Sequence, residues 1–184
     1  MRNYAKKLTL MAALTAIALV VFIIEAQIPM PIPIPGVKLG LANAVTLFAL
    51  FYRRTDGEPS STAQLELTVS DAFWVLTGRI ILGAMFTGRA VAFIYSAAGG
   101  LLAFLAQALM SKFVTNRQIW ACGAVGAAFH NIGQIIAAML VTGTPAIAAY
   151  LPAMILAGSI TGVITGLTAQ FVISRLNPRA QNGN

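Results

Sequence analysis

Long apolar runs dominate the chain and break only where charge, proline or glycine collects. Crossing the hydrocarbon of a bilayer takes roughly 20 apolar residues in one helix, and the breaks leave about six such segments. They fall at Leu8 to Ile28, Leu39 to Tyr52, Val69 to Thr87, Val91 to Ser111, Ile119 to Val141 and Pro152 to Ser174. The expected fold is an all-α membrane protein, with a bundle of about six transmembrane helices forming a single domain over residues 1–176. The tail, 177–184, is expected to be disordered. The first segment reads as a retained helix, because its apolar run is long and Ile24-Glu25-Ala26 is a poor small-residue cleavage site.

Between the first two segments, Pro29, Pro31, Pro33 and Pro35 alternate and lead into Gly36-Val37-Lys38-Leu39-Gly40-Leu41-Ala42-Asn43. Proline fixes φ, lacks an N–H and pushes the preceding residue out of the α region, so 27–35 should be extended or polyproline-like. The second segment is short, at 14 residues. Part of the strap is therefore expected to reach membrane depth, where irregular backbone is tolerated only against protein or a water-filled cavity.

Composition agrees with a membrane protein, at 58% hydrophobic and 9% charged residues. The net charge of +7 does not imply a nucleic-acid partner, because the basic residues lie in ones and twos at segment ends and form no patch with interleaved aromatics. They fit a topology instead. With the N-terminus inside, Arg2, Lys6, Lys7, Arg53, Arg54, Lys112, Arg117, Arg175 and Arg179 are cytoplasmic, leaving Lys38 and Arg89 outside and Arg79 within a helix. The expected location is the cytoplasmic (inner) membrane, multi-pass, with both termini cytoplasmic. The polar loop 55–67 reads as a solvated linker, with a partner contact as the other reading. Cys122, the single cysteine, excludes an internal disulfide and reads as a small packing residue.

Polar groups at membrane depth are the functional candidates, since an ionisable side chain in hydrocarbon costs roughly 2.5 kcal/mol or more unless paired or hydrated. Arg79 falls near the centre of the third segment, His130 and Asn131 near the centre of the fifth, and Glu25 near the outer end of the first. Gln134 lies one turn beyond His130 and shares its face. Two bland readings stand beside these: Arg79 pairs with Glu25 or Asp71, and His130 is a neutral imidazole bonded to a backbone carbonyl. The convergence of Lys38, Asn43, Arg79, His130, Asn131 and Gln134 favours a polar cavity for an anionic or polar small molecule.

Enzyme chemistry finds little support. The sequence holds no DDxxD, HExxH, Cys/His cluster or GxxxxGK[ST]. No cofactor is implied, and self-contained catalysis is not expected. Helix packing has a clear basis in small residues, namely Gly158, Gly162 and Gly166, Ala12 and Ala16, the series Gly36, Gly40 and Ala44, and Gly126. Packing inside the bundle explains most of them, while one stripe could dock another membrane subunit.

Four motifs then occur in order: Pro35 to Asn43, Arg79 to Gly83, Tyr95-Ser96-Ala97-Ala98-Gly99-Gly100, and Gly126-Ala127-Ala128-Phe129-His130-Asn131-Ile132-Gly133-Gln134. On these the chain, from Leu8 to Leu176, resembles the Gx transporter family, also labelled heptaprenyl diphosphate synthase component I. Through that family it looks like the substrate-binding S components of energy-coupling factor (ECF) vitamin transporters. The resemblance implies a subunit that captures substrate from outside and docks on a transmembrane T subunit driven by cytoplasmic ATPases. It also implies docking through an AxxxA stripe, matched here by Ala12 and Ala16, and a substrate linked to isoprenoid, quinone or flavin pathways. The family's other label implies the alternative, a noncatalytic membrane accessory subunit of a prenyl-diphosphate synthase or redox complex.

Overall fold

The computed structural model describes residues 2–28, 38, 40–52, 67–88 and 90–176. Gln27 and Ile28, expected to begin the extended strap, instead form a turn after α1 in which the Gln27 N–H donates to the Ile24 carbonyl at 3.0 Å. The proline strap at 29–37, the loop 53–66 with Arg53 and Arg54, Arg89, and the tail 177–184 with Arg179 lie outside the described residues, and so do the expectations placed on them. Six α-helices make up the described part: α1 (Arg2–Glu25), α2 (Asn43–Tyr52), α3 (Val69–Thr87), α4 (Ala90–Met110), α5 (Ile119–Thr142) and α6 (Leu151–Leu176). Short 3-10 turns at Asn116–Gln118 and Pro145–Tyr150 precede α5 and α6, and no strand occurs among the described residues. Five helices are long and apolar enough to cross a membrane, while α2 is shorter. The protein is therefore an all-α membrane protein.

Helix ends follow local chemistry. Thr68 caps α3 by accepting the Asp71 N–H at 3.2 Å, and the Asp71 carboxylate accepts the Thr68 N–H in return, a capping box. Gly88, at φ +62°, closes the same helix in the left-handed region that glycine occupies without strain. α2 begins at Asn43 and not at Leu39, because Gly40 stands at φ +83° and a turn intervenes in which the Asn43 N–H donates to the Gly40 carbonyl at 2.9 Å. α1 extends from Arg2, beyond the expected apolar segment, and carries Lys6 and Lys7 in its first two turns.

Side-chain pairs fix how the helices run. Lys7 Nζ meets Asp71 Oδ2 at 2.7 Å, and Phe22 lies against Gly83, so α1 and α3 are parallel. Phe73 meets Phe104 in a tilted contact at 5.6 Å while Gly100 faces Ile80, and Gln107 fills the space over Gly126 while Gly99 faces His130, so α4 is antiparallel to both α3 and α5. The pairing of Asp71 with Lys7 removes one of the partners considered for Arg79. Lys6, Lys7, Lys112, Arg117 and Arg175 consequently collect at one end of the bundle.

Small residues form the α5–α6 seam. A Cβ on Gly162 would stand 2.8 Å from Ala127 Cβ, and one on Gly166 would stand 2.6 Å from Trp120 Cα. The glycine stripe of α6 is thus spent on α5, where close backbone approach replaces the hydrophobic drive that lipid does not supply. Apolar side chains such as Leu47, Phe51, Leu76 and Ile119 fill the basic half of the core, and Tyr95, Ile135 and Met154 fill the opposite end. Exposed Val20 and Ile24 on α1 and Ile160 and Ile164 on α6 form an outer surface matched to hydrocarbon.

Candidate functional site

Where α1 ends and α2 begins, polar side chains from α1, α3 and α5 gather around residues 38–43. Arg79, only 2% exposed, extends from the middle of α3 and donates from Nη2 to Asn43 Oδ1 at 3.2 Å. The Phe22 ring serves two cations: Lys38 Nζ lies 3.2 Å from its centroid and Arg79 Cζ 5.7 Å. Gly83 makes room for that ring, since a Cβ there would come within 2.8 Å of it.

Glu25, 4% exposed, uses one carboxylate oxygen to accept both the Gly40 N–H and the Leu41 N–H, the latter at 3.1 Å. Neither acidic partner considered for Arg79 forms an ion pair with it among the described residues: Glu25 holds backbone amides and Asp71 holds Lys7.

His130 and Gln134 do share a face. Gln134 Oε1 accepts the Lys38 backbone N–H at 3.1 Å, and its amide nitrogen lies 3.0 Å from His130 Nε2. A backbone N–H can only donate, which fixes the orientation of the Gln134 amide and makes His130 Nε2 an acceptor. The imidazole is therefore neutral with its proton on Nδ1. Glycines on both sides hold the ring, because a Cβ on Gly40 would stand 2.8 Å from Cδ2 and one on Gly99 2.8 Å from Cε1.

Five of the six residues expected to form the site, Lys38, Asn43, Arg79, His130 and Gln134, are thus brought into one buried cluster. Asn131 is not among them. Its amide donates to the Met154 carbonyl on α6 beneath Gly158, so it ties α5 to α6. Ala12 and Ala16 lie on the exposed outer face of α1. Sequence reasoning singled out Glu25 but missed its backbone partners, and it missed Phe22, whose ring carries no polar signal. It also passed over Gln107, a buried amide in an apolar helix that lines a small cleft with Asn43, Gly123 and Thr161.

Among the described residues the cluster combines Lys38 and Arg79 with the single carboxylate of Glu25, and it holds donors without a partner at Arg79 Nε and Asn43 Nδ2. An unsatisfied buried donor costs about 1–3 kcal/mol. A group that accepts hydrogen bonds and carries negative charge suits such a place. Among the described residues no set of three or more His, Cys, Asp or Glu is placed to hold a metal ion.

The family model described as heptaprenyl diphosphate synthase component I matches residues 14–57 and 59–172. The chain belongs to this family. The matched span contains Glu25, Lys38, Asn43, Arg79, His130 and Gln134, so the whole cluster lies in the part the family shares. No curated protein and no solved structure matches the chain.

Proposed function

We propose that this membrane protein is a substrate-binding subunit of the ECF S-component type, taking up a small molecule that is anionic or isoprenoid- or flavin-related, with energy from separate T and ATPase subunits. The observation that carries this reading is the buried cluster itself, which among the described residues gathers Lys38 and Arg79 with one carboxylate and leaves Arg79 Nε and Asn43 Nδ2 as donors without a partner. Charge in hydrocarbon is costly unless paired, so an anionic ligand would lower the free energy of the site it enters. Asn131 supports the site indirectly by holding α5 against α6. Ala12 and Ala16 offer a smooth exposed strip for docking a T subunit. The basic end faces the cytoplasm in this reading, with both termini there and the polar cluster opening to the outside of the cytoplasmic membrane.

The test begins with purified protein and mass spectrometry of any small molecule that accompanies it, repeated for Arg79→Ala and His130→Ala. Loss of the molecule in the variants supports the site, and retention undiminished in both removes it.

The family description favours a second reading, in which the chain is a noncatalytic membrane component of a prenyl-diphosphate synthase. Affinity capture from native membranes distinguishes the two. Recovery of a T subunit with ATPases supports the uptake system, and recovery of a soluble prenyltransferase supports the synthase component.

A further inference from the structure

Glu25 occupies a place built for an anion. Its carboxylate oxygen receives two successive backbone N–H groups, from Gly40 and Leu41. Gly40 stands at φ +83°, and left-handed geometry next to a helical turn points successive N–H groups at one spot, a nest for negative charge. The N-terminus of α2, a ten-residue helix starting at Asn43, adds its dipole on the same side. Two further donors without partners, Arg79 Nε and Asn43 Nδ2, belong to side chains more than nine-tenths buried in this cluster.

We propose that Glu25 is an internal stand-in for the ligand, and that a carboxylate or phosphoryl oxygen of the substrate displaces it from the Gly40 and Leu41 amides. This rests on the substrate-binding reading above and specifies how the site is filled. Glu25 is the last residue of α1, followed by a turn at Ala26 and Gln27, so its side chain can leave without disturbing a helix interior. Charge favours the exchange as well. The cations Lys38 and Arg79 stand over the same Phe22 ring beside Glu25, so an anion that enters as Glu25 leaves meets positive charge already in place. Lys38 is also tied to Gln134 through its backbone N–H. Of these two side chains that hold backbone amides, Glu25 carries the kind of group an incoming anion can replace.

The experiment compares wild type, Glu25→Asp, Glu25→Gln and Arg79→Ala in lipid nanodiscs, measuring the rise in melting temperature with acetate or inorganic phosphate at ionic strength held constant with chloride. Asp keeps the charge but is one methylene too short for the amides, so displacement has less to overcome. Glu25→Asp should bind the anion about tenfold more tightly than wild type, as expected when the competent state becomes more populated. Arg79→Ala should bind more weakly. A preference for acetate identifies a carboxylate ligand and a preference for phosphate a phosphoryl one, and each supports the proposal. Tighter binding in Glu25→Gln with none in Glu25→Asp overturns it, because Glu25 then acts through its charge alone. Infrared spectra of protein with 13C-labelled glutamate give a direct readout, with the Glu25 band assigned among the three glutamates as the one absent from Glu25→Asp. The Glu25 carboxylate band should shift on anion addition, and an unchanged band overturns displacement. No stabilisation of any variant, wild type included, overturns both the displacement and the substrate-binding reading, whereas binding with an unchanged Glu25 band overturns displacement alone.

Discussion

Gly40→Ala separates backbone strain from crowding at the cluster. An alanine at φ +83° pays for the left-handed conformation, about 1–2 kcal/mol. Its Cβ would also stand 2.8 Å from His130 Cδ2 and 3.0 Å from Asn43 Nδ2. Forcing atoms into a packed site costs a further 1–3 kcal/mol or so, giving a loss of about 2–5 kcal/mol in all. His130 cannot easily yield, because Gln134 holds one edge and Gly99 closes the other. The assay is reversible unfolding in mixed detergent micelles, run as a double-mutant cycle with His130→Ala. Truncating the imidazole removes much of the clash but none of the backbone strain, so Gly40→Ala should cost only about 1–2 kcal/mol in that background. An equal cost in both backgrounds would refute the packing of His130 between Gly40 and Gly99.

Gly162→Leu should open the α5–α6 seam, where even a Cβ meets Ala124 Cα at 2.8 Å. A loss of about 1–3 kcal/mol in the same unfolding assay is expected, with Ile160→Leu on the exposed face of α6 as a neutral control. Lys7→Ala removes one partly buried ion pair at the bundle end and should cost only about 0.2–1 kcal/mol. Asp71→Ala also breaks the capping box of α3 and should cost about 1 kcal/mol more, read as a larger drop in melting temperature than for Lys7→Ala. Gln134→Leu leaves both the Lys38 N–H and His130 Nε2 without their partner, about 1–3 kcal/mol for each group so orphaned. Its thermal unfolding should show a loss larger than that of Lys7→Ala.

The helices were legible wherever apolar periodicity alone decides them. α3 matches its expected segment at both ends, α5 differs from its own by one residue at the C-terminal end alone, and α4 and α6 differ from theirs by one or two residues at each end. The start of α2 was not legible, because its position depends on the φ of Gly40 and on a carboxylate that arrives from α1, fifteen positions earlier in the chain. The polar members of the cluster stood out against their apolar neighbours, yet sequence spacing could not say where each one turns. Asn131 follows His130 directly, but one residue is about 100° around a helix, enough to aim it at α6 and away from Gln134. Arg79 offers the same lesson in its partners. Opposite charge suggested Asp71 or Glu25, and both are already engaged, by Lys7 and by backbone amides, so the guanidinium meets the neutral Asn43 instead. Aromatic packing beneath Lys38 and Arg79 is equally invisible in a linear pattern, since Phe22 looks like any other apolar residue of α1.

The central claim is that the buried cluster around Arg79 binds an anionic small molecule. Native mass spectrometry of the protein released from membrane nanodiscs tests it directly, comparing wild type with Arg79→Met, which keeps the bulk and removes the charge. The account predicts a bound anionic species on wild type that is lost from the variant while both remain folded. Equal occupancy in the two proteins would contradict it.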